Sequence, residues 1–139
     1  ALKGRAKAHT LLGENNLAAA DWSAILASRP EAGQMEAALM ARGAALQADG
    51  QLDAALADYA KALELNPKSE AAHIARAGVF AARDDRASAL KEYELARAIK
   101  GGSYDFYIAR AQLAESWGEM QSAIDHYQAA LNIDPRRAW

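Results

Sequence analysis

Cysteine is absent from the 139 residues, so the chain has no disulfide scaffold, no thiolate nucleophile and no Cys-type zinc site. Its redox compartment therefore goes unread, and cytoplasm and periplasm both stand open. Proline occurs only at Pro30, Pro67 and Pro135, each where a helix could stop. Aromatic residues make up 7%, and Val and Ile never alternate with polar neighbours, which leaves no strand pattern. Neither sign of charge dominates. With 16 Lys and Arg against 18 Asp and Glu, the chain lacks the cationic excess that phosphate binding needs, and no nucleic-acid partner is expected. No run approaches the roughly 20 apolar residues of a membrane span. The chain opens at Ala1 without an apolar targeting segment, as a cut or processed product would. What it has in plenty is alanine, roughly a quarter of all residues and the best helix former. The composition predicts an all-α protein of thin, closely packed helices.

A fixed period runs through the helices. Ala55, Ala89 and Ala123 recur at a 34-residue step, and so do Ala62, Ala96 and Ala130. Tyr59, Tyr93 and Tyr127 keep the same phase, as do Gly43, Ala77 and Ala111, and Met40, Ile74 and Ile108. The pattern breaks at Gly50, Asp84 and Gly118, and again at Asn66-Pro67, Gly101-Gly102 and Asp134-Pro135. Each unit reads as helix, tight turn, helix, longer turn. The small residues let two helices approach closely, where anything larger than a methyl would hold them apart. The tyrosines then fill the wider gap to the next unit.

These residues resemble the tetratricopeptide repeat family. The stretch from Glu36 to Ser69 carries its motif through Gly43, Leu46, Gly50, Ala55, Tyr59, Ala62 and Pro67. Units starting at Glu70 and Tyr104 repeat it, with Gly101 for the terminal proline in one and Ala114 for a larger apolar residue in the other. The first unit fits more loosely, through Ala8, Leu11, Asn15, Leu17, Ala20 and Ala27, and its Pro30 comes early. The expected organisation is one domain of four repeats, at about 1–35, 36–69, 70–103 and 104–137. The resemblance implies a right-handed α-solenoid of stacked antiparallel helix pairs.

Lys7, Arg42, Arg76 and Arg110 fall at equivalent places on the first helices, where the family often has leucine. Acidic partners stand in phase on the second helices, Asp58 for Arg42 and Glu92 for Arg76. Salt bridges within each unit are predicted there, with the arginine stems covering apolar surface. A basic recognition ladder is the functional alternative.

Little in the chain points to chemistry. His9, His73 and His126 sit in different units without metal-ligand spacing, so no metal or cofactor is expected. No Gly-Xaa-Ser-Xaa-Gly elbow exists, and Ser69 and Ser103 read as helix caps. Gly101-Gly102 is too little glycine for a phosphate cradle. Asp84-Asp85 reads as a solvated turn, and Trp22 and Trp117 as packing between units. The expected activity is binding, without catalysis.

In the family the first helices line the concave face. Carried over, that face comprises Met40, Ala44 and Gln47 in the second unit, and Ile74 and Gly78 in the third. The fourth contributes Asp105, Ile108, Gln112 and Glu115, and the first Arg5, His9 and Leu12. Independently, Ala37, Ala41, Ala44 and Ala48 share one helical face. The groove is therefore apolar in its middle, along Met40, Ile74 and Ile108, and acidic at its C-terminal end. It suits an amphipathic helix or an extended apolar peptide of a partner protein. Some family members hold acidic chaperone C-termini through groove Lys and Asn side chains. Met40, Ala44, Ile74 and Gly78 stand at those places here. The alternative is an assembly unit that self-associates through exposed repeat ends, with Trp117 and Trp139 as anchors, because too few residues follow Pro135 for a capping helix.

Overall fold

A computed structural model describes residues 1–137. Eight helices follow in order: α1 Leu2–Leu11, α2 Asn15–Ala27, α3 Ala32–Ala48, α4 Leu52–Leu65, α5 Glu70–Ala82, α6 Arg86–Lys100, α7 Tyr104–Ser116 and α8 Met120–Ile133. A 3₁₀ turn at Pro135–Arg137 folds onto α8. Among the described residues no strand occurs, in line with the composition.

Helices pair as hairpins, α1 with α2, α3 with α4, α5 with α6 and α7 with α8, and each hairpin packs on the next. Contact between neighbours alone makes the assembly a helical-repeat solenoid rather than a bundle around a single centre. All four hairpins close with the same bond. The N–H groups of Glu14, Gln51, Asp85 and Glu119 donate to the carbonyls of His9, Leu46, Phe80 and Ala114 at 2.8–2.9 Å. This is a Schellman-type helix end, which requires a left-handed residue just before the donor. Glycine supplies it at Gly13, Gly50 and Gly118, whereas Asp84 takes φ +58 without that freedom.

The longer turns are built from caps. Ser69 Oγ accepts from the Ala72 N–H at 3.2 Å and Ser103 Oγ from the Phe106 N–H at 3.1 Å, starting α5 and α7 as expected. Asp85 is more than a solvated turn residue, because its carboxylate caps α6 through the Ser88 N–H and is held below the usual carboxylate range by Ser88. Gly101 ends α6 in the left-handed conformation, the stop that proline supplies elsewhere.

Inside the first three hairpins a small residue faces an aromatic one sixteen positions on. A Cβ at Gly43 would lie 2.5 Å from Tyr59 Cε1, so the ring rests directly on the α3 backbone. Ala77 and Tyr93 share one apolar cluster, and Ala6 and Trp22 another. Tyr93 also meets Phe106 of α7 edge-on at 5.8 Å, bridging to the next unit.

The Ala6–Trp22 pair corrects the reading of the first unit. It places Ala6, 37 residues before Gly43, in the position that Gly43, Ala77 and Ala111 hold at 34-residue steps. The extra residues lengthen α3, which runs 17 residues against 13 for α5 and α7. Its added turn lies along α2, where Met35 and Leu26 join the cluster around Leu39.

Candidate functional site

The arginine slot resolves first. Arg42 clasps Asp58 through two bonds, Nε to Oδ2 at 2.7 Å and Nη2 to Oδ1 at 2.6 Å, and Nη1 donates to Ser23 Oγ at 3.2 Å. One guanidinium thereby ties α2, α3 and α4. Arg76 reaches Glu92 at 3.4 Å, a looser contact because His73 Nδ1 holds the other carboxylate oxygen at 2.7 Å. Both bridges lie within the usual 4 Å limit, as expected.

In the first hairpin the slot belongs to Arg5, not to Lys7. Arg5 makes the same clasp on Asp21, with Nη2 to Oδ1 at 2.6 Å and Nε to Oδ2 at 3.0 Å. The Arg5 hydrogen bond holds the buried Asp21 carboxyl below its ordinary range, against the opposing effect of burial. The 37-residue step explains the difference. In the fourth hairpin the acid is replaced by His126, so Arg110 lies instead over the Tyr93 ring, 5.3 Å from its centre. Burial first, then the Arg110 charge, pushes the His126 imidazole down. Three rungs of this ladder are thus neutralised between helices.

The inner face comes next. α5 touches both α3 and α7, while among the described residues no two even-numbered helices pack comparably. The odd-numbered helices therefore line the side on which the hairpins crowd together. Met40 and Ile74 are half-buried between successive hairpins, Met40 against the cluster of Ala55, Tyr59 and Val79, Ile74 against that of Ala77, Tyr93, Ala96, Phe106 and Leu113. Gln47 is committed, its Oε1 accepting from the Tyr59 hydroxyl at 3.1 Å. A Cβ on Gly78 would lie 3.4 Å from Gln47 Nε2, so those two positions adjoin. Ile74 and Asp105 share a hollow of about 310 Å³, and Ile108 and Gln112 line another of about 330 Å³ with Tyr104 and Tyr127. Glu115 accepts from the Tyr127 hydroxyl at 3.0 Å, and Asp105 stands 3.6 Å from Arg137.

A larger hollow than these two, about 630 Å³, opens between α1 and α3 with Trp22 and Ile25 of α2 behind it. Ala44 lines it beside Ala37 and Ala41. From α1 it takes Lys3, Lys7, Thr10 and Leu11. Arg5 is spent on Asp21, His9 lies 2.5 Å from Glu14, and Leu12 is the exposed cap of α1. The signal that places α1 correctly is the sixteen-residue spacing of Ala6 and Trp22, which matches Gly43 and Tyr59.

No group of three or more His, Asp or Glu that could hold a metal ion occurs among the described residues, and no helix among them is long and apolar enough to cross a membrane.

The profile of the tetratricopeptide repeat family matches residues 36–69 and again 104–137. Both stretches are tetratricopeptide repeats. A thermophilic tetratricopeptide repeat protein of Thermus thermophilus is 26% identical, with a TM-score of 0.77 over 95% of this chain and 72% of that one. MamA shares the fold at 20% identity and a TM-score of 0.72, over 99% of this chain and 78% of its own. YrrB, described as having an unusual peptide-binding site, shares it at 18% identity and 0.67, over 98% and 69%. No curated protein matches the sequence. Through these repeats the protein is a protein-interaction module, and repeats of this kind are typically non-catalytic.

Proposed function

We propose that the inner face of α3, α5 and α7 holds an amphipathic helix or an extended apolar peptide of a partner protein, without chemistry. The observation that carries this is the lining itself. Ala37, Ala44 and Ala71 are exposed on successive odd helices, beside the half-buried Met40, Ile74 and Ile108. Small side chains keep the trough open, and the larger ones offer apolar contact along its floor. The peptide-binding site named for YrrB supports the reading by analogy of fold. The four repeats, at about 1–35, 36–69, 70–103 and 104–137, act in it as a single domain, each pair supplying one inner helix.

Affinity capture from a native lysate tests it. Ile74→Asp with Ile108→Asp is expected to lose the partners that the wild-type chain retains, at unchanged helicity. Because Ile74 also packs against the buried cluster of Ala77, Tyr93 and Phe106, Ala44→Arg on the exposed face serves as the milder variant. Retention of the same proteins by both variants overturns the reading.

A second reading, self-association through a repeat end, draws on α8, where Met120, Ile124 and Ile133 are about half exposed, at 54%, 49% and 48%. Trp117 is occupied by the Arg86 guanidinium, 4.5 Å above its ring, and Trp139 lies outside the described residues. Light scattering across a concentration series decides this reading. A constant monomer mass removes it.

A further inference from the structure

The hollow between α1 and α3 differs from the rest of the inner face in size and in charge. Its 630 Å³ is about twice that of the others and falls among ligand pockets of roughly 300–1,000 Å³. Trp22, Ile25, Ala38 and Ala41 make it apolar, and it is continuous with the groove through Ala44. Among the described residues Lys3 and Lys7 are its only charged lining. Neither has an ion-pair partner among the described residues, whereas Arg5, on the same helix, is clasped by Asp21. The one unpartnered buried polar atom in its wall, Trp22 Nε1, is again a donor. At the opposite end of the groove the charges are compensated: Asp105 stands 3.6 Å from Arg137, and Glu115 accepts from the Tyr127 hydroxyl.

On the reading that the inner face binds a partner segment, we propose that this hollow sets the segment's chemistry: it seats bulky apolar side chains of a helix whose flanking positions, over α1, are acidic. Two uncompensated ammonium groups at the rim of an apolar cavity attract carboxylates in encounter and penalise cations. The apolar floor supplies the burial. Neutral or basic amphipathic helices meet the same floor without the charge match.

Three synthetic peptides of about four helical turns test this. They share one stripe of Leu and Phe and differ only in carrying Glu, Gln or Lys beside it. Fluorescence anisotropy with the full chain at low salt is expected to show the Glu peptide binding about tenfold tighter than the Lys peptide, with the gap closing in high salt. Lys3→Glu with Lys7→Glu inverts the order. Ala37→Trp, on an exposed lining position, weakens the Glu peptide about tenfold with the circular dichroism unchanged. In a Trp117→Phe/Trp139→Phe background, the emission of Trp22 shifts on binding. Equal affinity for all three peptides, or unmoved Trp22 emission, overturns this proposal, and if binding is still lost in Ile108→Asp the groove reading stands. Binding of none, or binding insensitive to Ile108→Asp, overturns both.

Discussion

At residue scale the fold rests on two kinds of contact that look alike in a helical wheel and differ in cost. The Arg42–Asp58 clasp buries its carboxylate almost completely, so removing only the cation strands a charge. Arg42→Met is expected to cost about 3 kcal/mol, and adding Asp58→Leu to recover most of it, because an apolar pair replaces a buried ion pair at little penalty. Urea melts of the single and double variants check this. An equal cost in both would refute it. Gly43 and Gly78 give the second contrast. Gly43→Ala drives a methyl into the Tyr59 ring, which lies 2.5 Å from the new Cβ, and is expected to destabilise by about 1–3 kcal/mol despite better helix propensity. Gly78→Ala meets only the flexible Gln47 end at 3.4 Å and should stabilise by up to about 1 kcal/mol. Thermal melts of the two variants should move in opposite directions.

At the scale of the element, the hairpin is one device used four times, and its exceptions are informative. The spacing of small residue, turn and aromatic was legible for α3 to α8 because it repeats at 34. It misled for α1, where an added turn in α3 moves the phase by three. The arginine slot expected at Lys7 therefore falls at Arg5, and Arg5 and His9, expected on the groove, meet Asp21 and Glu14. The slot's acid is Asp21, Asp58 and Glu92 in turn, but His126 in the last hairpin. His126→Asp is expected to give Arg110 a carboxylate across α7 and α8 and to raise stability by about 1 kcal/mol, roughly 4 °C in Tm. A lower Tm would show that the stacking of His126 near Tyr107, at 6.1 Å, matters more.

At the scale of the molecule, the buried tyrosines set a pH limit. Burial raises both Tyr59 and Tyr93 to about 12, the Asp58 charge adding to the effect at Tyr59 and Arg110 opposing it at Tyr93. In the unfolded chain these hydroxyls ionise near 10. The unfolded state therefore loses its protons first, and stability present below pH 10 is lost as pH rises from about 10 to 12, by about 3 kcal/mol for each ring. Melts at pH 8 and pH 11 should differ in the wild type and much less in Tyr59→Phe/Tyr93→Phe. An alkaline loss unchanged in that variant would place its origin elsewhere. The same two rings link hairpins, so alkaline opening is expected to separate units of the stack rather than fray its ends.

Sequence by itself determined the helices, their turns, the 34-residue period and the partners of Arg42 and Arg76, because all of these follow from local spacing along helices of fixed pitch. It also indicated which helices face inward, through the family resemblance. Only the tertiary structure decided how the first hairpin sits on the second. That placement depends on how far α3 extends along α2, and the only mark the three added residues leave on the repeat is the early Pro30. Yet they turn Lys3 and Lys7 toward the groove, turn Arg5 toward Asp21, and part α1 from α3 by the width of a side-chain cavity.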